Sequence, residues 1–227
     1  MPGLGWGGPE SGAAGTHSKA LRAVPATTAR CYDGEMNAAV GTVGRPLLTL
    51  VTGAPGSGKT TLAQQLARAL CLPLLTKDRL KTSLADMLGA PDREATQRLT
   101  SVAFSQLYAL VAEQIALGVG VVLEANLYRG IAETDIAPFL ASSRLRQVHC
   151  EVRFQLSAAR FTARANAPDR HWSFFDHERV AQLARGEVPE PWSRALPLDL
   201  PIPLLKVDTT EGYAPGLDDI TRWISGR

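Results

Sequence analysis

The chain contains 227 residues, of which 45% are hydrophobic and 20% charged, and its formal net charge is +2. This composition is typical of a globular protein and excludes a general electrostatic attraction to nucleic acid. The cysteines (Cys31, Cys71 and Cys150) form no C-x-x-C pair, so we expect them to be reduced and mostly buried. No apolar run approaches the ~20 residues that span a bilayer, and no signal-peptide pattern is present. We therefore expect a cytoplasmic protein without a membrane partner.

Residues 1–45 differ in composition from the rest of the chain. They hold nine of the twenty glycines and few large apolar side chains. Such a segment cannot bury enough surface to offset the entropy lost on ordering. We therefore predict a disordered leader over residues 1–45, with a regulatory or targeting arm as the alternative, and one folded domain over residues 46–227.

A phosphate-binding loop is predicted at residues 53–60, where Gly-Ala-Pro-Gly-Ser-Gly-Lys-Thr fits the pattern G-x-x-x-x-G-K-[ST]. An apolar run of strand type precedes it, and helical periodicity over residues 61–70 follows it. Glycines let successive N–H groups turn towards phosphate oxygens, and the helix N-terminus adds partial positive charge. Lys59 is expected to reach the β- and γ-phosphates, and the Thr60 hydroxyl to bind Mg²⁺. A glycine-rich turn with a chance lysine is the alternative, which the flanking strand and helix disfavour.

The predicted nucleotide contacts are Gly53, Ala54, Pro55, Gly56, Ser57, Gly58, Lys59, Thr60 and Thr61.

A second apolar strand, over residues 72–76, ends at Lys-Asp-Arg. In an open parallel sheet the carboxyl ends of the strands face the ligand crevice. We therefore predict that Asp78 takes the proton of an acceptor hydroxyl and that Arg79 lies in the acceptor site. Asp78 could also cap the helix predicted over residues 79–89, and the two roles are compatible.

The third predicted strand, residues 119–123, is apolar along its length, as expected for a strand buried on both faces. Glu124 follows it, and a charge next to a buried strand needs a partner. We predict that Glu124 orients the Mg²⁺ shell or a substrate hydroxyl, rather than serving only as a cap. Asn126 and Arg129 lie in the same loop and are predicted to bind the acceptor.

Apolar spacing predicts the remaining elements. They are helices over residues 92–117 and 131–143, a fourth strand towards the sheet edge over 148–156, a proline-rich connection over 188–203, a fifth strand over 204–207 and a helix over 217–225. The loop after the fifth strand is predicted to contact adenine through its backbone and Thr209.

Arginines are concentrated between residues 153 and 194, which hold seven of the nineteen in the chain. Arg160 and Arg164 are four residues apart and so share one face of a helix. Guanidinium groups stabilise the charge that develops on a moving phosphoryl group. We predict that these two residues and Arg170 belong to a helical lid over residues 157–186. A solvated basic face is the alternative, and it is the interpretation for Arg179, Arg185 and Arg194.

Three segments together resemble the zeta-toxin and chloramphenicol-phosphotransferase-like group of P-loop kinases. They are the loop at 53–60, Leu-Leu-Thr-Lys-Asp-Arg-Leu-Lys at 74–81 and Val-Val-Leu-Glu-Ala-Asn at 121–126. The resemblance covers residues 46–225. It implies an α/β P-loop NTPase fold of the nucleotide-kinase type, a three-layer sandwich with a five-stranded parallel sheet of order 2-3-1-4-5 and an arginine-rich lid.

The resemblance also implies a reaction, the transfer of the ATP γ-phosphoryl group to a hydroxyl. It places Lys59 and Thr60 at the phosphates, Asp78 as the base, and Arg160 and Arg164 in the lid. Arg-His-Trp-Ser-Phe at 170–174 departs from the Arg-His-Pro-Gly-His-like stretch of many relatives.

The acceptor is predicted to be a small antibiotic-, nucleoside- or sugar-like molecule, because the side chains expected in its pocket are largely apolar and aromatic. They are Met87, Phe104, Tyr108, Tyr128, Trp172 and Phe174. A 5′-hydroxyl nucleic-acid end would require a continuous basic track, and the arginines near the lid are already accounted for by the γ-phosphate. The alternatives are a polynucleotide kinase, an ATPase switch acting on a partner protein, and a toxin-like kinase of a peptidoglycan precursor. The sequence leaves the oligomeric state open.

Overall fold

The computed structural model describes residues 44–226. Cys31 and the predicted leader lie outside the described residues, apart from Gly44 and Arg45. Arg45 Nη1 donates a hydrogen bond to the carbonyl oxygen of Leu140 at 2.9 Å. Arg45 therefore belongs to the folded domain, and the rest of the leader stays a prediction.

Five parallel strands form one sheet in the order β2-β3-β1-β4-β5. The strands are β1 (Leu47–Gly53), β2 (Leu74–Thr76), β3 (Val121–Glu124), β4 (Arg144–Glu151) and β5 (Leu204–Asp208). The predicted fold class and strand order are confirmed. Because all the strands run in one direction, their carboxyl ends meet at one edge, where ligands bind in open α/β sheets.

Helices cover both faces of this sheet. They are α1 (Lys59–Ala69), α2 (Lys77–Leu88), α3 (Arg93–Ala116), α4 (Ala132–Ile136), α5 (Phe139–Ser142), α6 (Phe154–Ala165), α7 (His177–Ala184), α8 (Glu190–Ser193) and α9 (Leu217–Ser225), with a 3-10 turn at Trp172–Phe174. None of the helices between residues 44 and 226 is long and apolar enough to cross a membrane.

Each face of the sheet buries its own apolar layer, because successive side chains of a strand point to opposite faces. On one face, Leu48 and Leu50 of β1 pack with Leu107 of α3. On the other face, Val51 packs with Leu62 of α1. All five side chains are fully buried, and each contributes about 1.5–3 kcal/mol by leaving water. The result is the predicted three-layer sandwich.

The fourth strand differs from its prediction in position. It occupies Arg144–Glu151 rather than residues 148–156, and it lies next to the edge strand β5. Its alternation of polar and apolar residues suggested an exposed face, but Gln147 and His149 are buried and joined by hydrogen bonds through Thr52. Residues 154–156 instead begin α6.

The predicted helix over residues 131–143 is interrupted. Pro138 separates α4 from α5, because proline has no N–H group to continue the helical hydrogen bonds. Cys150 is buried as expected, whereas Cys71 is exposed after the end of α1.

Candidate active site

The loop between β1 and α1 has the backbone that phosphate binding requires. Gly53, Gly56 and Gly58 have φ angles of 145°, 78° and 80°, values that glycine adopts readily and other residues rarely do. The backbone of α6 approaches Gly56 so closely that a Cβ atom there would lie 2.1 Å from the Ser157 carbonyl oxygen. Ser57 Oγ is buried and has no hydrogen-bond partner among the described residues. A polar ligand in the loop can satisfy this hydroxyl.

Lys59 and Glu124 form a buried pair beside this loop. In the sheet, Glu124 lies opposite Val51 of β1 and Thr76 of β2. This register brings the Glu124 carboxylate to the start of α1. Lys59 Nζ lies 3.9 Å from Glu124 Oε1, too far for a hydrogen bond. Burial lowers the pKa of Lys59 and raises the pKa of Glu124, and their mutual attraction opposes both shifts. The ammonium group therefore keeps its donors available for phosphate oxygens.

The position of Glu124 also suits a magnesium ion. The Thr60 side chain hydrogen-bonds the Glu124 carboxylate, so two protein oxygens meet at the phosphate loop. Mg²⁺ is usually held by one or two protein oxygens together with phosphates and water. Among residues 44–226, no group of three or more His, Cys, Asp or Glu side chains could hold a metal ion. Thr60 and Glu124 therefore fit a magnesium ion that arrives with a nucleotide.

Asp78 lies in the first turn of α2, so it does not cap that helix. The N-cap residue is Thr76. The Asp78 side chain is 42% exposed and forms an ion pair with the buried Lys77. Burial alone would raise the pKa of Asp78, but the charge and hydrogen bond of Lys77 outweigh it and lower the pKa to about 2. Asp78 is therefore an ionised hydrogen-bond acceptor at neutral pH.

Asp78 and Lys59 open into one cavity of about 500 Å³ between α2, α3, α6 and α7. Of the apolar and aromatic side chains that we expect in the acceptor pocket, only Phe104, Tyr128 and Phe174 line this cavity. Met87 and Trp172 are largely exposed elsewhere. The cavity wall is mainly polar or charged. Its charged residues are Lys59, Lys77, Lys81, Arg93, Arg164, Arg170, Arg179, Asp78, Asp176, Glu178 and Glu190. The expectation of an apolar pocket is corrected.

The arginines of the predicted lid have three different surroundings. Arg164 of α6 lines the main cavity and also a smaller cavity beside the phosphate loop. Arg160, one turn earlier, donates from Nη1 and Nη2 to the carbonyl oxygens of Thr209 and Thr210 at 3.0 and 2.9 Å. Arg170 donates from Nε to Asp176 at 2.6 Å. Arg164 is therefore best placed for a phosphoryl group, whereas Arg160 ties α6 to the loop after β5.

The smaller cavity, about 360 Å³, lies beside the phosphate loop. It is lined by Gly56, Gly58, Thr61, Arg160, Arg164, Thr209, Gly212 and Tyr213. The Thr209 hydroxyl is buried and donates to the Ser57 carbonyl oxygen at 2.7 Å. Thr209 therefore holds the phosphate loop in place, and its predicted contact with adenine stays a prediction.

Two predicted acceptor contacts lie elsewhere. Arg79 is exposed on α2 and does not line the main cavity, because it follows Asp78 on a different face of the helix. Arg129 donates from Nε to the Pro197 carbonyl oxygen at 2.6 Å and anchors the proline-rich connection. Asn126, in contrast, lines the cavity.

The sequence interpretation missed Lys77, Lys81 and Asp176, and it assigned Arg179 to a solvated face. All four line the cavity. A signal was present for the lysines: they are four residues apart and flank Asp78, so they share its helical face. Asp176 and Arg179 could not be placed in the same way, because the fold of residues 166–176 brings them to the site.

A family model for an AAA domain, AAA_33, matches residues 48–189. The chain belongs to the AAA_33 family. The match begins in β1 and ends after α7, and so includes the phosphate loop and most of the main cavity.

Two kinases are similar in sequence to this AAA_33 protein. Cytidylate kinase of Pyrobaculum neutrophilum (strain DSM 2338 / JCM 9278 / NBRC 100436 / V24Sta) is 33% identical over 112 residues, which are 47% of this chain and 60% of that enzyme. The match thus spans less than two thirds of the relative. A structure described as a candidate kinase from Chloroflexus aurantiacus J-10-fl is 28% identical, with a TM-score of 0.63 over 82% of this chain and 97% of the other.

The fold extends to a more distant enzyme. APS kinase of Mycobacterium tuberculosis, solved with AMPPNP and APS, has a TM-score of 0.51 and 18% identity over 81% of this chain and 97% of the other. Together with the family match, these similarities confirm that the AAA_33 protein belongs to the P-loop kinase group and has the fold of a nucleotide-dependent phosphotransferase.

Proposed function

We propose that the protein transfers the γ-phosphoryl group of MgATP to a hydroxyl group of a small molecule. The supporting observation is that the phosphate loop and Asp78 open into the same cavity of about 500 Å³. That volume lies in the range of small-molecule sites. A phosphoryl donor on Lys59 and a hydroxyl on Asp78 would therefore meet inside it.

The nucleotide is assigned to the smaller cavity and the phosphate loop. Its base and ribose lie near Arg160 and Tyr213, and its phosphates lie on the loop N–H groups and Lys59. Mg²⁺ would be held by Thr60 and Glu124 together with phosphate oxygens, and it would neutralise part of the phosphate charge.

The reaction forms a bond between the acceptor oxygen and the γ-phosphorus and breaks the bond from that phosphorus to the β,γ-bridging oxygen, so that ADP leaves. Asp78 accepts a hydrogen bond from the acceptor hydroxyl and aligns its oxygen. A carboxylate with a pKa of about 2 is a weak base, so the proton passes to Asp78 late, as the new bond forms. Lys59 and Arg164 stabilise the charge on the moving group.

The first experiment is ATP consumption by the purified protein with a panel of hydroxyl compounds, with the transferred phosphate detected by mass. The panel includes antibiotics, sugars, nucleosides, nucleoside monophosphates and a 5′-hydroxyl oligonucleotide. The monophosphates are included because the related Pyrobaculum enzyme is named for cytidylate. A small molecule phosphorylated on a hydroxyl group supports the proposal, whereas conversion of a monophosphate into a diphosphate would contradict the hydroxyl acceptor. Phosphorylation of the oligonucleotide alone would favour a polynucleotide kinase, and hydrolysis that no compound alters would favour an ATPase switch.

The variant Lys59→Ala tests the assignment of the donor site. We expect phosphoryl transfer to fall by on the order of 10³-fold, because a positioned cation at the transferring group is lost. Lys206→Met is the matched control, since Lys206 is exposed and paired with Glu151 on β4. Undiminished transfer by Lys59→Ala, measured against this control, would refute the mechanism.

A further inference from the structure

Three cations lie around the Asp176 carboxylate. They are on the side of the main cavity where α2 and α7 meet. Arg170 holds Asp176 through Nε and Nη2. Arg179 Nη1 lies 3.6 Å from the other oxygen of Asp176. Lys81 of α2 interacts electrostatically with both Arg179 and Asp176. Asp78 also acts on Lys81 but is itself paired with Lys77. Two carboxylates thus face four cations, so this cation cluster (Lys81, Arg170, Arg179) retains an excess of positive charge.

Lys81 is the least balanced member of the cluster. Its side chain is buried, with 6% of the residue exposed, and Nζ lies 5.3 Å from the centroid of the Phe174 ring. No ion pair of the residues from 44 to 226 includes Lys81. Burial, followed by repulsion from Lys77, lowers the pKa of Lys81 to about 8. The aromatic contact offsets only part of the cost of burying an ammonium group that forms no ion pair.

Within the cluster, Lys81 and Arg179 are not among the charges that act on Lys59, whereas Arg170 acts on both Arg164 and Asp78. Lys81 lies one helical turn beyond Lys77, about 6 Å along α2, and about 4.5 Å beyond Asp78. The charges that act most on Lys59 are Glu124, Asp78 and Arg164. Those that act most on Lys81 are Lys77, Asp78, Arg179 and Asp176. Asp78 and its partner Lys77 act on both lysines and so couple the phosphate loop to the cluster.

The same cavity carries polar groups that have no protein partner. Thr96 of α3 is 5% exposed, and its Oγ1 makes no hydrogen bond within the described part of the chain. Asn126 Oδ1 is likewise buried and unpartnered among these residues. Both residues line the cavity. Buried polar groups are normally hydrogen-bonded, so these atoms indicate a polar ligand.

We propose that the acceptor is an organic anion, a small hydroxyl compound whose phosphate, sulfate or carboxylate group binds between Lys81 and Arg179 while its hydroxyl lies at Asp78. This inference rests on the proposed function, because it assigns the charge of the molecule that is phosphorylated. The anionic group balances the cluster, and Thr96 and Asn126 bind polar groups of the organic part.

A binding experiment tests the anion site without turnover. The phosphate loop is saturated with Mg²⁺ and a non-hydrolysable ATP analogue, and inorganic phosphate, sulfate and acetate are then titrated calorimetrically. We expect at least one oxyanion to bind, and Lys81→Met and Arg179→Gln each to weaken it by about tenfold, equivalent to ~1.4 kcal/mol. The charge-matched controls Lys206→Met and Arg185→Gln, at exposed ion pairs outside the cavity, should leave the affinity unchanged.

Matched acceptors test the same site in the reaction. Cytidine is compared with cytidine monophosphate, and glucose with glucose 6-phosphate and gluconate, and only phosphate transferred to a hydroxyl group is counted. We expect the anionic member of a pair to have at least a tenfold higher kcat/KM. Lys81→Met should remove this advantage by raising KM, with kcat within about twofold. If Lys81→Met does not fold, Arg179→Gln carries the test, because the Arg179 side chain is 39% exposed.

The outcomes separate the two proposals. Phosphorylation of neutral compounds, with no oxyanion binding to the nucleotide-loaded protein, overturns the anionic acceptor and leaves the kinase function standing. Oxyanion binding that Lys81→Met weakens, without phosphorylation of any compound, supports the anion site and overturns the kinase function. Equal oxyanion affinity in the wild type and Lys81→Met also overturns the inference.

Discussion

At the scale of single residues, the site depends on carboxylates whose partner cations are already in place. Asp78 is paired with the lysine that precedes it in the chain, and Glu124 lies beside the phosphate-loop lysine. Because Lys77 keeps Asp78 ionised, its oxygen atoms can only accept hydrogen bonds at neutral pH. This suits the alignment of a hydroxyl group, which is the role that phosphoryl transfer requires of such a residue.

The variant Asp78→Asn separates this role from folding. It preserves the shape of the side chain but removes the charge and the capacity to accept a proton. We expect nucleotide affinity to stay within about threefold while kcat falls by on the order of 10²–10⁴-fold, the range typical of positioned acid–base groups. Asp86→Asn, a change on the exposed part of the same helix, is the control. A kcat equal to that of the control would remove Asp78 from the mechanism.

At the scale of secondary-structure elements, the phosphate loop is held in place by two neighbours. The first turn of α6 packs against Gly56. The loop after β5 donates a hydrogen bond from the Thr209 hydroxyl to the Ser57 carbonyl oxygen and accepts one from Arg160 of α6. Trp192 of α8 adds a hydrogen bond from Nε1 to Ser157 Oγ at 2.8 Å. The nucleotide site is therefore assembled from segments far apart in sequence.

Gly56→Ala tests the packing of α6 on the loop, and Gly118→Ala is a matched control with the same φ of 78°. At Gly118 no atom lies within 4 Å of the added Cβ, so the control should lose only about 1–2 kcal/mol of unfolding free energy through backbone strain. At Gly56 the Cβ atom meets the Ser157 carbonyl oxygen, so the loop and α6 must separate. We expect nucleotide affinity to fall at least tenfold in Gly56→Ala only, by calorimetric titration. Equal nucleotide affinity in the two variants would contradict this packing.

At the scale of the whole molecule, the centre of the sheet contains a buried polar chain. Gln147 donates from Nε2 to Thr52 Oγ1 at 3.0 Å, and the Thr52 hydroxyl lies 2.9 Å from His149 Nδ1. The Thr52 hydroxyl can donate to Nδ1 only when that nitrogen carries no proton. Burial lowers the pKa of His149 to about 4, despite the nearby charge of Glu151 and assisted by Lys206 and Arg129.

This histidine makes global stability depend on pH. Between pH 6.5 and 4 the unfolded chain binds a proton at His149 that the folded protein does not bind, so the free energy of unfolding decreases as pH falls through this window. The shift in pKa corresponds to about 3 kcal/mol. In His149→Asn, Oδ1 can accept from Thr52 without titrating. Urea denaturation at several pH values should therefore show a shallower acid loss of stability in the variant, and parallel curves would exclude His149 as the cause.

The sequence alone determined what local patterns encode. The spacing of glycines around Lys59 and Thr60 predicted a phosphate loop, and apolar runs predicted a parallel sheet with Asp78 and Glu124 at strand ends. These features follow from short-range backbone geometry and side-chain period, which a single segment carries by itself.

Tertiary structure alone decided how the polar residues are paired. The sequence could not show that Gln147 and His149 are buried, because their hydrogen bonds run through a residue on another strand. Nor could it show that Arg160 and Arg129 bind backbone carbonyls, while Lys81 and Arg179 face the cavity. A long cationic side chain can bind any carbonyl or carboxylate within reach, and only the packing of α6, α7 and the final loops decides which one it meets.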